Sequence, residues 1–274
     1  MISFPNAKIN LGLNIVSRRP DGYHNIETVF YPVHWCDVLE IVPAKREKGI
    51  FIQIGIPIKE DLQKNLVMKA YRLLKADYDI PEIDIYLRKN IPFGAGLGGG
   101  SSDAAFMLKL LNDFAGLHLS HEQLEEYARR LGADCPFFIR DKPVFAESTG
   151  TVFTPITVFL RGYYLVVVKP DIQVSTREAY SNVKPQRPGE SIRDIIQLPV
   201  STWKDKLMND FEKTIFALYP EIEKIKRKMY ERGAIYASMS GSGSSVFGIF
   251  EDIDIQPCQW IDTPAHVFSC LLSF

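Results

Sequence analysis

The chain has 274 residues, 46% apolar and 24% charged, with 32 basic residues against 33 acidic ones and a formal charge of -1. That length holds one large domain or two ordinary ones with a core that needs no staples, and the near-neutral balance gives no general electrostatic case for nucleic acid or an anionic membrane. The longest strongly apolar stretch, residues 163–168, is far short of the roughly 20 residues of a membrane span, and Pro5, Asn6, Lys8 and Asn10 break any signal-peptide core. A cytoplasmic protein with no membrane partner is expected. Cys36, Cys135, Cys258 and Cys270 are far apart with no zinc or redox spacing, so they read as reduced thiols and no metal site is expected.

In chain order, residues 9–16 and 38–42 read as strands, and residues 50–58, bounded by Gly49 and Pro57, as a third. The period then changes. Val67, Ala70, Tyr71 and Leu74 fall on one helical face within residues 65–75. Residues 83–87 are strand-like, and a glycine-rich loop at 94–100 leads into a helix. Ala104, Leu108, Leu111 and Ala115 share a face of that helix, and Gly116 stands at its C-terminal cap. Ser120 opens the next helix, with Gln123 at capping-box spacing. Leu124, Tyr127, Ala128 and Leu131 form its apolar face and Gly132 stops it. Residues 135–139 and 144–146 read as a hairpin about Asp141-Lys142. Residues 148–162, rich in Thr and Gly, suit a crossing between domains. Residues 163–168 read as a buried strand and 181–202 as loop with a short helix at most. Residues 207–218 and 222–229 read as helices separated by Pro220, with Gly233 after them, and 246–250 is the last clear strand. Beyond Phe250, the stretch with Pro257, Trp260 and Pro264 matches no motif. Strands and helices mix without regular alternation, which favours an α+β fold.

The loop is the chemical signal. Residues 92–103 read Pro-Phe-Gly-Ala-Gly-Leu-Gly-Gly-Gly-Ser-Ser-Asp. Glycines at this density are costly, so they need a reason. Without Cβ atoms, backbone N–H groups can converge on an anion, and the following helix adds unpaired N–H groups and a positive dipole end. The plain alternative is a flexible turn with Ser102 as helix cap. No Gly-Lys-Ser/Thr is present, so this is no Walker loop. No strand ending in an acid lies about 20 residues on, so it is a poor Rossmann match.

This loop resembles the phosphate loop of the GHMP kinase superfamily. Ala7-Lys8-Ile9-Asn10-Leu11, Arg19-Pro20-Asp21-Gly22-Tyr23-His24 and Leu131-Gly132-Ala133-Asp134-Cys135-Pro136 resemble one branch of it. So do Asn209-Asp210-Phe211-Glu212 and Met239-Ser240-Gly241-Ser242-Gly243. Members of that branch phosphorylate the 2-hydroxyl of 4-diphosphocytidyl-2-C-methyl-D-erythritol in non-mevalonate isoprenoid synthesis. The Asp-Gly-Tyr-His block is the specific part, because the phosphate loop alone does not separate superfamily members.

The resemblance implies a two-domain α+β fold with a ribosomal-protein-like N-terminal domain at about 1–153 and a ferredoxin-like C-terminal domain at about 154–274. The active site is expected in the cleft between them. It implies ATP as phosphoryl donor with Mg2+, for which no protein ligand is named, a small-molecule acceptor, and a monomer or homodimer. Asp134 is the implied base and Lys8 its partner, although a turn aspartate and a snorkelling lysine would look the same. The implied ATP loop is Pro92, Phe93, Gly94, Ala95, Gly96, Leu97, Gly98, Gly99, Gly100, Ser101 and Ser102. Lys89 and Asn65 stand on the nucleotide side, where a solvent lysine and an N-cap asparagine are the plain alternatives. Asp103 could assist magnesium or simply suit a helix N-terminus. Tyr23 and His24 are implied to meet the cytosine, Tyr180 to stack on it, and Thr176 and Gly241 to approach the substrate. Asn10, two residues from Lys8, faces the same way on a strand. Two rivals remain: another kinase of the superfamily acting on homoserine, mevalonate or a sugar, and a non-catalytic nucleotide-binding protein on the same fold.

Overall fold

A computed structural model describes residues 1–57, 64–252 and 264–272. The strands are β1 (Ile2–Ser3), β2 (Asn6–Arg18), β3 (His24–Cys36), β4 (Val38–Pro43), β5 (Phe51–Gly55), β6 (Ile83–Lys89), β7 (Val144–Glu147), β8 (Val152–Pro155), β9 (Tyr164–Pro170), β10 (Tyr236–Met239), β11 (Val246–Phe250) and β12 (Ala265–Leu271). The helices are α1 (Leu66–Asp77), α2 (Gly99–Phe114), α3 (His121–Arg129), α4 (Phe137–Arg140), α5 (Thr176–Tyr180), α6 (Ile192–Ile195), α7 (Glu212–Leu218) and α8 (Pro220–Glu231), with a 3-10 turn at Val200–Asp205. The described residues form two compact units. One takes Met1–Ala7, Pro32–Phe93 and Gly98–Lys142; the other takes Lys8–Tyr31, Gly94–Leu97 and the residues from Pro143 onward.

The first unit is a sheet in the order β1-β4-β6-β5 with helices packed on it. β4 and β6 run antiparallel, and β5 joins β6 in parallel because α1 lies between them in the chain. Asn65 starts α1 by accepting the Val67 N–H at 2.9 Å, and the expected face of Val67, Ala70, Tyr71 and Leu74 is buried. Ala104, Leu108 and Leu111 of α2 are buried too, and α2 packs against α1, α3, α4 and β4. α3 carries both bonds of the Ser120–Gln123 capping box.

The second unit holds two sheets, β2-β3-β7-β8 and β10-β11-β9-β12. α7 and α8 cover the latter, where Val166, Val168, Met239, Val246 and Phe250 meet Phe211, Ile215, Ile222, Ile225 and Met229 in one apolar cluster.

Several expectations need correction. Residues 135–139 and 144–146 make no hairpin: Phe137–Arg140 is a short helix after Pro136, and Val144–Glu147 pairs with β3 and β8. A short apolar run fits a buried helix as well as a strand. Residues 148–162 are no plain crossing, since β8 returns along β7 within them. Helix α7 starts at Glu212 rather than 207, because Asn209–Phe211 is a turn, and Pro220 heads α8 rather than merely separating helices. Strands β3, β10 and β12 carried no clear signal. Ile58, Pro257, Cys258 and Trp260 lie outside the described residues.

Candidate active site

The glycine loop adopts the backbone that its composition demands. Gly94, Gly96 and Gly98 have φ of +61°, +74° and +71°, where L side chains are strained. Gly98, not Ser102, is the N-cap of α2, with no side-chain cap, so the helix begins three residues before Ser102. Its first N–H groups have no capping side chain, an arrangement that suits an anion. The Ser102 hydroxyl is buried with no hydrogen-bond partner.

Residues 94–97 are strapped from two sides. The Leu97 carbonyl accepts the Lys8 N–H at 2.9 Å, and the Ala95 carbonyl accepts that of Ser245 at 3.2 Å. Ser240, in the second glycine turn, donates its hydroxyl to the Gly96 carbonyl at 2.8 Å and accepts the Asn10 N–H at 3.2 Å. Asn209 holds that turn, donating to the carbonyls of Met239 at 2.8 Å and Gly241 at 2.9 Å. Glu212 accepts from the Met239 N–H and the Ser238 hydroxyl. The block Asn209–Glu212 therefore acts as scaffold, a role that its residue types alone did not reveal.

Lys8 is 4% exposed. Its ammonium donates to Asn10 Oδ1 at 2.6 Å and lies 4.6 Å from the centre of the Phe30 ring, contacts that offset the cost of burying a cation. Asn10 shares the face of Lys8 as strand alternation requires. Its amide donates to Thr28 at 3.0 Å. Gly241 stands over it, since a Cβ there would lie 3.2 Å from Asn10 Oδ1. Lys8, Asn10, Gly241 and the loop residues Gly96 and Leu97 thus form one group, to which the structure adds Thr28 and Ser240.

Asp134 is half-buried in the turn between α3 and α4. Cys135 donates its N–H back to Gly132 at 3.2 Å and its carbonyl accepts from Phe138, also at 3.2 Å. The thiol beside Asp134 is inert, because burial pushes it up to about 12.

His24 and Tyr180 are stacked directly, with centroids 4.9 Å apart and planes at 16°, and Tyr180 meets Phe211 edge-on at 4.8 Å. Burial, then the Arg18 charge, lowers the His24 pKa and favours the neutral ring. Tyr23 is 68% exposed and stands apart from this stack. Thr176 is exposed at the first position of α5, where a Ser175–Glu178 capping box fixes the helix carrying Tyr180. The Ser175–Glu178 box is a readable Ser-x-x-Glu signal that the sequence reading omits, and the contact of Phe211 with Tyr180 is not implied by its block.

Lys89 is no solvent lysine. It is 2% exposed and paired with Asp37 and Asp103. Pro92 is buried beside it in sequence, whereas Phe93 is half exposed. Asp103 is buried and faces Lys89. Among the described residues no three His, Cys, Asp or Glu side chains cluster as a metal site, and no helix is long and apolar enough to cross a membrane.

The family models for the GHMP kinases N terminal domain and the GHMP kinases C terminal match residues 65–142 and 196–256. The chain is 61% identical to 4-diphosphocytidyl-2-C-methyl-D-erythritol kinase of Parabacteroides distasonis, covering 92% of each chain. It is 49% identical to the protein of the same name from Cytophaga hutchinsonii, covering 99% of each. A crystal structure of 4-(cytidine 5'-diphospho)-2C-methyl-D-erythritol kinase superposes with a TM-score of 0.82 at 31% identity, covering 98% of each chain. The mevalonate kinase of Methanococcus jannaschii shares the fold, with a TM-score of 0.75 at 14% identity over 100% of this chain and 98% of that one. Its whole length thus aligned with these kinases, the chain belongs to the 4-diphosphocytidyl-2-C-methyl-D-erythritol kinase family of the GHMP kinases.

Proposed function

We propose that the protein transfers the γ-phosphoryl group of ATP to the 2-hydroxyl of 4-diphosphocytidyl-2-C-methyl-D-erythritol, giving the 2-phosphate and ADP. The observation that carries this is the phosphate cradle: three glycines at positive φ running into an uncapped helix N-terminus, in a chain whose relatives of that name align over nearly its full length.

Pro92 to Ser102 form the phosphate loop, whose unspent backbone N–H groups and Ser101 hydroxyl hold the phosphates, and Asn65 and Lys89 serve the nucleotide side. Mg2+ bound with ATP would supply charge neutralisation at its phosphates. Asp134 takes the proton of the 2-hydroxyl as its oxygen bonds to the γ-phosphorus and the bond to the β-phosphate oxygen breaks. Lys8 is assigned to the same step as its partner cation. Tyr23, His24 and Tyr180 receive the cytosine; the half-buried imidazole, whose neutral form is favoured, and the Phe211-braced ring support that role. Asn10, Thr176 and Gly241 meet the erythritol and phosphate end. The division at about residue 153 into an ATP-binding half and a C-terminal half belongs to the same reading, supported by the family models ending at 142 and resuming at 196.

The test is ADP release by purified protein with ATP, Mg2+ and the cytidyl substrate, with mevalonate and homoserine in parallel. Turnover on the cytidyl substrate alone is expected. Turnover on either other acceptor, or on none while ATP binds, refutes the assignment.

A further inference from the structure

Resting on the reading of residues 92–102 as an ATP loop, one cluster in the first unit deserves a role of its own. Asp37 sits where β3 gives way to β4, Lys89 ends β6, and Asp103 lies in the first turns of α2. All three are nearly inaccessible, with side chains 0%, 2% and 3% exposed. The Lys89 ammonium bonds Asp37 Oδ2 and, at 2.6 Å, Asp103 Oδ2. The other Asp37 oxygen accepts the N–H groups of Asn90 at 2.6 Å and Ile91 at 2.8 Å. The Asn90 amide donates to the Cys36 carbonyl at 2.9 Å, and the Asp37 N–H to that of Pro5 at 2.8 Å. Asp37 is thus bonded to the chain immediately before the glycine loop, and through Lys89 to the helix immediately after it.

Charges this deeply buried are expensive, and a buried ion cluster contributes little net stability against apolar replacements. What the cluster supplies is geometry. The Lys89 ammonium lies directly under the loop's exit: a Cβ on Gly99 would come within 3.4 Å of it. Two of its three donors are held by carboxylates, and the side chain is 2% exposed. Burial first, and the Asp37 charge after it, raise Asp103 to about 7 against the pull of Lys89.

We propose that Asp37, Lys89 and Asp103 form a positioning triad, in which Lys89 acts on the nucleotide through the phosphate loop that it anchors and not by touching the base. The two ends of the loop are tied through the Lys89 ammonium, the entry by Asp37 and the exit by Asp103, so its N–H donors are arranged before the triphosphate arrives and less ordering is needed on binding. Base recognition plays no part, so the triad serves any ligand carrying the polyphosphate.

The experiment compares the affinities of ATP, GTP and inorganic tripolyphosphate in wild type, Lys89→Met, Asp37→Asn and Asp103→Asn, with KM for the cytidyl substrate measured alongside. Supporting partners of a site typically change affinity about 10–100-fold when removed. The three polyphosphates are expected to weaken by one common factor in that range in Lys89→Met, and by a smaller common factor in the two isosteric amides, with the cytidyl KM unchanged. Loss of ATP affinity alone, with GTP and tripolyphosphate unmoved, means that Lys89 touches the adenine and overturns the proposal. Unmoved affinities in a folded variant overturn it as well. If Lys89→Met does not fold, the two amides carry the test, since each keeps the shape and one acceptor for Lys89. A wild type that binds none of the three probes sinks the ATP reading itself, an outcome distinct from a binding wild type with indifferent variants.

Discussion

A methyl group at position 96 is a stringent test of how the phosphate loop is held. Gly96 has φ of +74°, and a Cβ there would run into the Ser240 carbonyl, 3.0 Å from its carbon and 3.2 Å from the Gly243 oxygen. Both neighbours are backbone, and the Ser240 turn is fixed by Asn209, so neither can swing aside. Forcing an L side chain into the left-handed region costs about 1–2 kcal/mol, and overpacking of a filled site about 1–3 kcal/mol. Gly96→Ala should therefore lose roughly 2–5 kcal/mol. Gly94 is the control. Its φ is +61°, yet nothing lies within 4 Å of its Cβ position, so Gly94→Ala bears the conformational cost alone. In a chain of this size each kcal/mol moves the melting point by roughly 2–4 °C. Thermal unfolding should show Gly96→Ala several degrees below Gly94→Ala, and the KM for ATP should rise more in the former. Equal melting points for the two variants would refute the claim that the second glycine turn presses on the loop.

Asp134→Asn and Lys8→Met should each lose about 10²–10⁴-fold in turnover, the range for a positioned base, while calorimetry finds ATP affinity unchanged; full activity in the first removes Asp134 as base. Asn209→Ala strips donors from the Met239 and Gly241 carbonyls and the acceptor from the Phe211 N–H; urea unfolding should register a loss of about 3 kcal/mol or more, since each of the three unsatisfied buried groups costs about 1–3 kcal/mol. Tyr180→Ala removes one face of the His24 stack and should raise KM for the cytidyl substrate about tenfold, near 1.4 kcal/mol, with KM for ATP unmoved. His24 has a folded pKa below its ordinary 6.5, from burial first and Arg18 second. Its contribution to stability is therefore present above that ordinary value and lost as pH falls through the folded one. An NMR titration of its ring should show a midpoint under 6.5; one above it would contradict the burial argument.

What could be read from the sequence was what is written locally. The face of α1, the capping box of α3 and the glycines of the phosphate loop each follow from residues within one or two turns of one another. β3 escaped because Pro32 lies inside it, and proline argues against a paired strand; it pairs with β7 over Thr28–Phe30, short of that proline. β12 escaped because Pro264 marks its start but no turn residue marks the end of Ala-His-Val-Phe-Ser-Cys-Leu. In the site, the glycine cluster announced itself because a backbone requirement leaves no choice of residue. Lys89 did not, since its partners stand 52 and 14 positions away. Ser240 and Asn209 lay within recognised blocks, but what they hold is a backbone carbonyl, and that leaves no trace in composition.

The neighbours of β9 bear on how the protein tolerates shortening. β9 pairs with β11 over Tyr164–Val168 on one side and with β12 over Tyr164–Pro170 on the other, and Leu165 to Val168 are buried in succession. β12 contains none of the proposed site residues, so its loss would look harmless on a map of the active site. It would instead turn β9 into an edge strand with a bare ladder and consecutive β-branched residues, which is a template for pairing with another molecule. A chain cut before Ala265 would keep its whole catalytic apparatus and precipitate.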